Sequence, residues 1–259
     1  MASPGPKISI VTVVYNGVAS LESTIQSIIN LDYPNVEYIV IDGGSTDGTL
    51  EILKKYSHRI TYQESGPDKG IYDAMNKGID KATGRWTIFI NSADRVASPG
   101  AFSNIDWSME ADIIYGNAIK EYPHFTMMFP VLPLDKSWKD MPFCHNASFT
   151  RTDLLKSRKF DTKYKLSADF DFVYHAFLDG KKFVQVPTVV TLFDYKQGAS
   201  LNHGLRSIRE RRDSVLQRNA SVAKSLYFYA LIARYKVAEA TKKLVGKKVT
   251  AWLTRLLRT

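Results

Sequence analysis

The chain of 259 residues holds one cysteine, Cys144. An internal disulfide is therefore excluded, and stability must come from a buried core in a reducing compartment. No uncharged apolar run of about 18 residues occurs, so nothing is expected to cross a bilayer. The opening "MASPGPKISI" lacks the charged and apolar regions of a secretory leader. There is no Gly-x-x-x-x-Gly-Lys-Ser/Thr phosphate cradle, and no Gly-x-Gly-x-x-Gly follows the first apolar run. "DGGSTDG" (42–48) fails the spacing of a calcium loop, because Gly44 stands where a third-position oxygen ligand belongs. Acidic residues are scarce at one end. From His203 to Thr259, 14 Lys or Arg face only Glu210, Asp213 and Glu239, a net +11, whereas the first 202 residues sum to −2. Such asymmetry predicts a near-neutral body, 1–202, and a basic tail, 203–259, whose partner is anionic.

Apolar strands alternate with helical periods along the body. "ISIVTVV" (8–14), "VEYIVID" (36–42), "RITYQES" (59–65) and "RWTIFIN" (85–91) read as strands. Helices are expected across 19–30, from within "TDGTLEILKKY", and over 68–82. Three strand–helix units in under 95 residues predict an α/β fold with a mostly parallel central sheet and flanking helices. Ligands on such sheets sit beyond the carboxyl ends of the strands. The polar clusters "YNG" (15–17), "DGGSTDG" and "NSAD" (91–94) each follow a strand, so they are expected to meet in one crevice. Asp42 ends its strand, where a carboxylate can accept hydrogen bonds from ribose hydroxyls or a base N–H; a plain turn is the competing reading.

The motifs "ISIVTVVYNG", "YIVIDGGSTDGT", "GPDKGIYDAMNKGIDKATG", "FINSAD", "MPFCHNASF" and "LSADFDF" stand in the order found in family 2 glycosyltransferases. Over roughly residues 7–200 the chain resembles this family, in its bacterial surface-polysaccharide type. The resemblance implies the Rossmann-like GT-A fold, a nucleoside-diphospho-sugar donor with UDP the expected nucleotide, Mg²⁺ or Mn²⁺, and inversion at the anomeric carbon. It matches Thr12, Tyr15 and Asn16 to the first nucleotide-contacting loop, and Asp42 with Gly43 to the nucleoside-holding turn. Asp68 and Lys69 match the segment beside base and ribose, and Asn91 and Ser92 complete the donor set. An exposed helix start at 68–70 also offers free backbone N–H groups.

"NSAD" occupies the place of the family's acidic metal motif, and Ala93 stands where the principal carboxylate is expected. Three explanations stay open: a natural enzyme with a weak metal site, an inactivating Asp-to-Ala replacement, or an offset in which Asp94 does the binding. His145 is a candidate further ligand, and Arg95 a metal-free source of positive charge. Inverting transfer also needs a base for the acceptor hydroxyl. In "KLSADFDFVYHAFLDG" (165–180), Ser167 is expected to cap a helix whose first turn holds Asp169 and Asp171. Residues two apart on a helix point about 200° from each other, so only one faces the site. The family motif aligns with Asp169. "FDYKQGASLNHG" (193–204) resembles a closing loop, with Gly198 and Ser200 at a lid or acceptor position.

In the tail, Val245, Val249, Trp252, Leu253 and Leu256 share one helical face, with Lys247, Lys248, Arg255 and Arg258 toward the other. That is the pattern of a helix lying in a membrane interface; packing on protein is the alternative. No nucleic-acid reading motif is present. Together these features predict a sugar transferase acting on a glycan or lipid-linked glycan at the cytoplasmic face of the membrane. The competing function is a non-catalytic sugar-nucleotide- or glycan-binding scaffold, suggested by Ala93.

Overall fold

Segments 8–14 and 36–42 are apolar at nearly every position, and a strand of that kind needs cover on both faces. A computed structural model, describing residues 5–195 and 203–256 and side chains through residue 241, pairs them in parallel as β1 (Ile8–Val14) and β2 (Val36–Asp42). Alternation along these strands divides the core in two. Ile8, Ile10, Tyr38, Val40, Trp86 and Ile88 face α1 (Leu21–Ile29) and α2 (Thr49–Lys55). Val11, Val13, Ile39, Ile41 and Phe89 face α3 (Ile71–Lys81), α4 (Thr152–Arg158) and α5 (Ala168–Leu178). The helix–sheet approach is tight at Gly78, where an added Cβ would run into Val11.

β3 (Tyr62–Ser65) and β4 (Trp86–Phe89) extend the parallel half, in the order β3-β2-β1-β4. Both strands are shorter than expected from sequence; Arg59 ends a 3-10 turn, Ser57–Arg59, rather than starting β3. Beyond β4 the sheet turns mixed, continuing β8 (Ser148–Arg151), β6 (Ile113–Glu121), β9 (Phe183–Asp194) and β5 (Arg95–Val96), with β7 (Thr126–Met128) also on β6. β8 runs antiparallel to both β4 and β6. The chain returns from β6 to β8 without a crossover α-helix, as suits an antiparallel pairing. β6 and β9 are parallel.

One connection shapes the site. Only residues 90–94 separate β4 from β5, which pairs with β9 at the far end of the strand order. Six Cα steps reach at most about 20 Å. The second half of the sheet therefore curls back until the end of β9 meets the end of β4.

The chain divides into two compact units, residues 1–198 and 199–259. The second contains α6 (Gly204–Asn219) and α7 (Val222–Leu256), which pack on each other. Among the described residues no helix is long and apolar enough to cross a membrane.

Candidate active site

The three polar loops do meet. The Asn16 N–H donates to Ser45 Oγ at 2.7 Å, and the Thr46 N–H returns a bond to Asn16 Oδ1 at 2.9 Å. Gly17 N–H donates to Thr49 Oγ1, and Val18 N–H to Asp47 Oδ2. Ser92 Oγ lies 3.1 Å from Ser20 Oγ, at the start of α1. Asn16 takes a positive φ of 50° to make this turn, a conformation asparagine tolerates better than most residues.

Two expected donor contacts prove to be internal. Thr12 is fully buried, and its hydroxyl donates to the Ile90 carbonyl while accepting from Tyr38. Asp42 is fully buried as well. Its Oδ2 accepts from the Gly44 and Ser45 N–H groups and the Ser65 hydroxyl, and its Oδ1 from the Ser45 hydroxyl. A carboxylate so engaged shapes the 42–46 turn.

The exposed face of that turn belongs to other residues. A Cβ on Gly43 would meet Asp68 Oδ2 at 2.5 Å and the Tyr15 ring at 3.4 Å. Gly43 is thus the floor on which the Asp68 carboxylate rests, beside the Tyr15 ring, which is 67% exposed. Asp68 Oδ1 accepts from the Gly70 N–H, and Lys69 is exposed with its carbonyl held by Lys165. The pairing of Gly43 with Asp68 is invisible in sequence, because 25 residues separate them.

"NSAD" differs from the expected metal motif. Ala93 has φ +87°, a left-handed conformation that alanine rarely adopts. Its N–H donates to Thr24 Oγ1, whose hydroxyl donates to the Asp94 carbonyl. Position 93 is therefore the bend of a tight turn. Asp94 is buried; its Oδ1 accepts from the Asp194 N–H at 3.0 Å and its Oδ2 from the Asn146 amide. Burial pushes its carboxyl up to about 8, and the neighbouring Asp194 charge adds to the rise against the bonds from Asp194 N–H and Asn146. Arg95 is spoken for by Glu121 at 2.6 Å.

A divalent cation wants several oxygens in one place. Asn91 Oδ1, shielded and without a partner, is one. Ala93 contributes none, and both oxygens of Asp94 are in use. The described residues include no group of three or more His, Cys, Asp or Glu able to hold a metal. This donor set does not fit a resident Mg²⁺ or Mn²⁺. His145 is buried among aromatic rings. Its ring stacks on Phe89 at 5.2 Å and meets the edge of Phe160 at 5.6 Å, and its Nε2 is shielded without a partner. Burial lowers the pKa of this imidazole, against the pull of the Asp169 charge.

Asp169 and Asp171 part company as the helical geometry requires. Asp171 is buried, 3.3 Å from His175 Nδ1 and 3.7 Å from Arg158. Asp169 turns the other way, half-buried, and its Oδ1 accepts from the Tyr72 hydroxyl at 2.7 Å and from the Phe170 N–H at 2.9 Å. Its Oδ2 has no partner among the described residues. Ser167 stands at the N-cap of α5 without the expected side-chain capping bond. Asn146 holds Asp94, and the Asp169 charge works against the lowering of the neighbouring His145. Tyr72 and Asn146 were not singled out from sequence, although both lie inside quoted motifs. Gly198 and Ser200, and with them most of the proposed lid, lie outside the described residues, as do the tail side chains from 245 on.

The family model "Glycosyl transferase family 2" matches residues 9–131. An uncharacterized glycosyltransferase of Mycobacterium tuberculosis is 30% identical over 187 residues, covering 67% of this chain and 70% of its own. A PGL/p-HBAD biosynthesis glycosyltransferase of Mycobacterium bovis is 27% identical over 262 residues, covering 96% and 98%. In fold the chain is similar to a mannosyltransferase from Pyrobaculum calidifontis solved with GDP-Man and Mn²⁺. The TM-score is 0.67 at 16% identity, covering 97% of this chain and 79% of that one. The fold is therefore GT-A, and with this crevice at the carboxyl ends of its parallel strands, the chain belongs to glycosyltransferase family 2.

Proposed function

We propose that the protein is an inverting glycosyltransferase of surface glycan synthesis. It moves a sugar from a nucleoside-diphospho-sugar, with UDP the favoured nucleotide, to a hydroxyl of a glycan or lipid-linked glycan at the cytoplasmic face of the membrane. One observation carries the reading. Asp169 Oδ1 accepts from the Tyr72 hydroxyl, which joins the acid to the helix that begins just after Asp68 and Lys69.

In the chemical step the acceptor oxygen attacks the anomeric carbon as its proton passes to Asp169 Oδ2. The bond from that carbon to the phosphate oxygen breaks, and its electron pair leaves with the nucleoside diphosphate. Attack opposite the leaving group inverts the anomeric centre. Tyr15 offers a stacking face for the base, Asp68 an acceptor for base or ribose protons, and Lys69 positive charge at the rim. No step is assigned to Mg²⁺ or Mn²⁺, whose ligands are not assembled among the described residues. The scaffold alternative, which rested on Ala93 as a lost ligand, is set aside because the relatives are glycosyltransferases.

Asp169→Asn tests the assignment. Transfer to acceptor should fall about 10²–10⁴-fold, the usual worth of a positioned base, with donor affinity within a factor of two of wild type. Near-normal turnover would remove Asp169 from the chemistry.

A further inference from the structure

α7 packs along one side. A Cβ on Gly204, at the start of α6, would meet the Tyr235 ring at 2.7 Å, and Phe228 and Ile232 are buried on that same side of the helix. The opposite face of such a helix is normally charged. Here it carries Val222, Leu226, Tyr229 and Val237, which are 78%, 63%, 60% and 66% exposed. Exposed Ala233 and Ala240 fill the spaces between them. At about 100° per residue these six positions fall within an arc of about 80°. The stripe is continuous, faces away from the packed side, and is bordered by exposed Arg234 and Lys236.

Two occupants suit an apolar stripe: a second copy of the chain, or a lipid surface. A stable homodimer needs about 800 Å² per partner, more than four large side chains on one helix provide. Charge separates the two further. Residues 203–259 carry net +11 against −2 for the rest, and four lysines lie between 242 and 248 on the continuation of the same helix. Two such surfaces would repel each other, whereas an anionic bilayer attracts this one.

We infer that the outward face of α7 across residues 222–240 docks the chain on an anionic lipid surface, with the apolar stripe entering the interface and the flanking cations at the headgroups. The inference deepens the reading of a membrane-borne acceptor by naming the element that makes contact, and binding is measured without donor or acceptor.

The test is co-sedimentation of the full chain with vesicles of phosphatidylcholine, alone or with phosphatidylglycerol at one part in three. Wild type should partition onto the anionic vesicles at least ten-fold better than onto neutral ones. The triple variant Leu226→Gln, Tyr229→Gln, Val237→Gln should lose at least ten-fold of that binding with an unchanged circular dichroism spectrum. If the triple variant misfolds, Leu226→Glu alone carries the test, with a loss of at least three-fold expected. Asp169→Asn should bind vesicles like wild type, which keeps a failure of docking separate from a failure of the catalytic reading. Equal binding to both vesicle types, or undiminished binding by the folded variants, overturns the inference. So does a wild-type dimer in light scattering that the triple variant abolishes while vesicle binding is absent.

Discussion

Replacing Ala93 by glycine asks whether residue 93 carries backbone strain at its turn. With φ at +87°, alanine crowds its Cβ against the following carbonyl, at a cost of about 1–2 kcal/mol that glycine avoids. Glycine also frees the unfolded chain, giving back about 0.4–1 kcal/mol. The net expectation for Ala93→Gly is a gain of about 0.5–1 kcal/mol. The Ala93 N–H bond to Thr24 is a backbone bond and survives the change. With a urea slope of about 2–3 kcal/mol/M for a unit this size, the midpoint should rise by about 0.3 M. Fluorescence reports the transition, because Trp86 is wholly buried in the core. Ala93→Val is the opposite control, since a branched side chain at positive φ is a true outlier and should destabilise clearly. A lower midpoint for Ala93→Gly would refute the turn argument.

Two further outcomes follow from hydrogen bonds across the fold. Tyr72→Phe removes the donor to Asp169 Oδ1 without emptying the space its ring fills. A bond to a charged group is worth about 1.5–3 kcal/mol, so kcat should fall about 10–100-fold with the donor KM unchanged; steady-state kinetics showing kcat unaltered would deny Tyr72 a positioning role. At the other end of the sheet, burial works to raise the Glu37 carboxyl, but bonds from Ser9, Lys7 and Thr83 outweigh it and hold it at about 2. A depressed carboxyl stabilises above its ordinary value of 4.5 and loses that contribution as pH falls through about 2. Allowing for screening around exposed Lys7, the contribution is about 2 kcal/mol. Glu37→Gln should lose that much at pH 7 and melt with a flatter profile between pH 5 and 2; parallel profiles would refute it.

What the sequence determined by itself was local and periodic. Largely apolar runs dictate strands covered on both faces, so β1 and β2 were legible to the residue and their helices to within a few residues. Strand-end polarity likewise placed the crevice, because a loop that follows a parallel strand can only emerge at its carboxyl end. The opposite facing of Asp169 and Asp171 needed nothing beyond the helical repeat. What only the tertiary structure decided was which way each polar side chain spends its bonds. Asp42 and Asp94 look in sequence like ligands at strand ends, yet partners 23 and 100 residues away in Ser65 and Asp194 turn both inward. Gly43 and Asp68 become one surface, and Tyr72 reaches Asp169 across 97 residues. Hydropathy is a property each residue brings with it, so it can be read along a chain; a hydrogen bond belongs to a pair, and its second member is known only once the fold has closed.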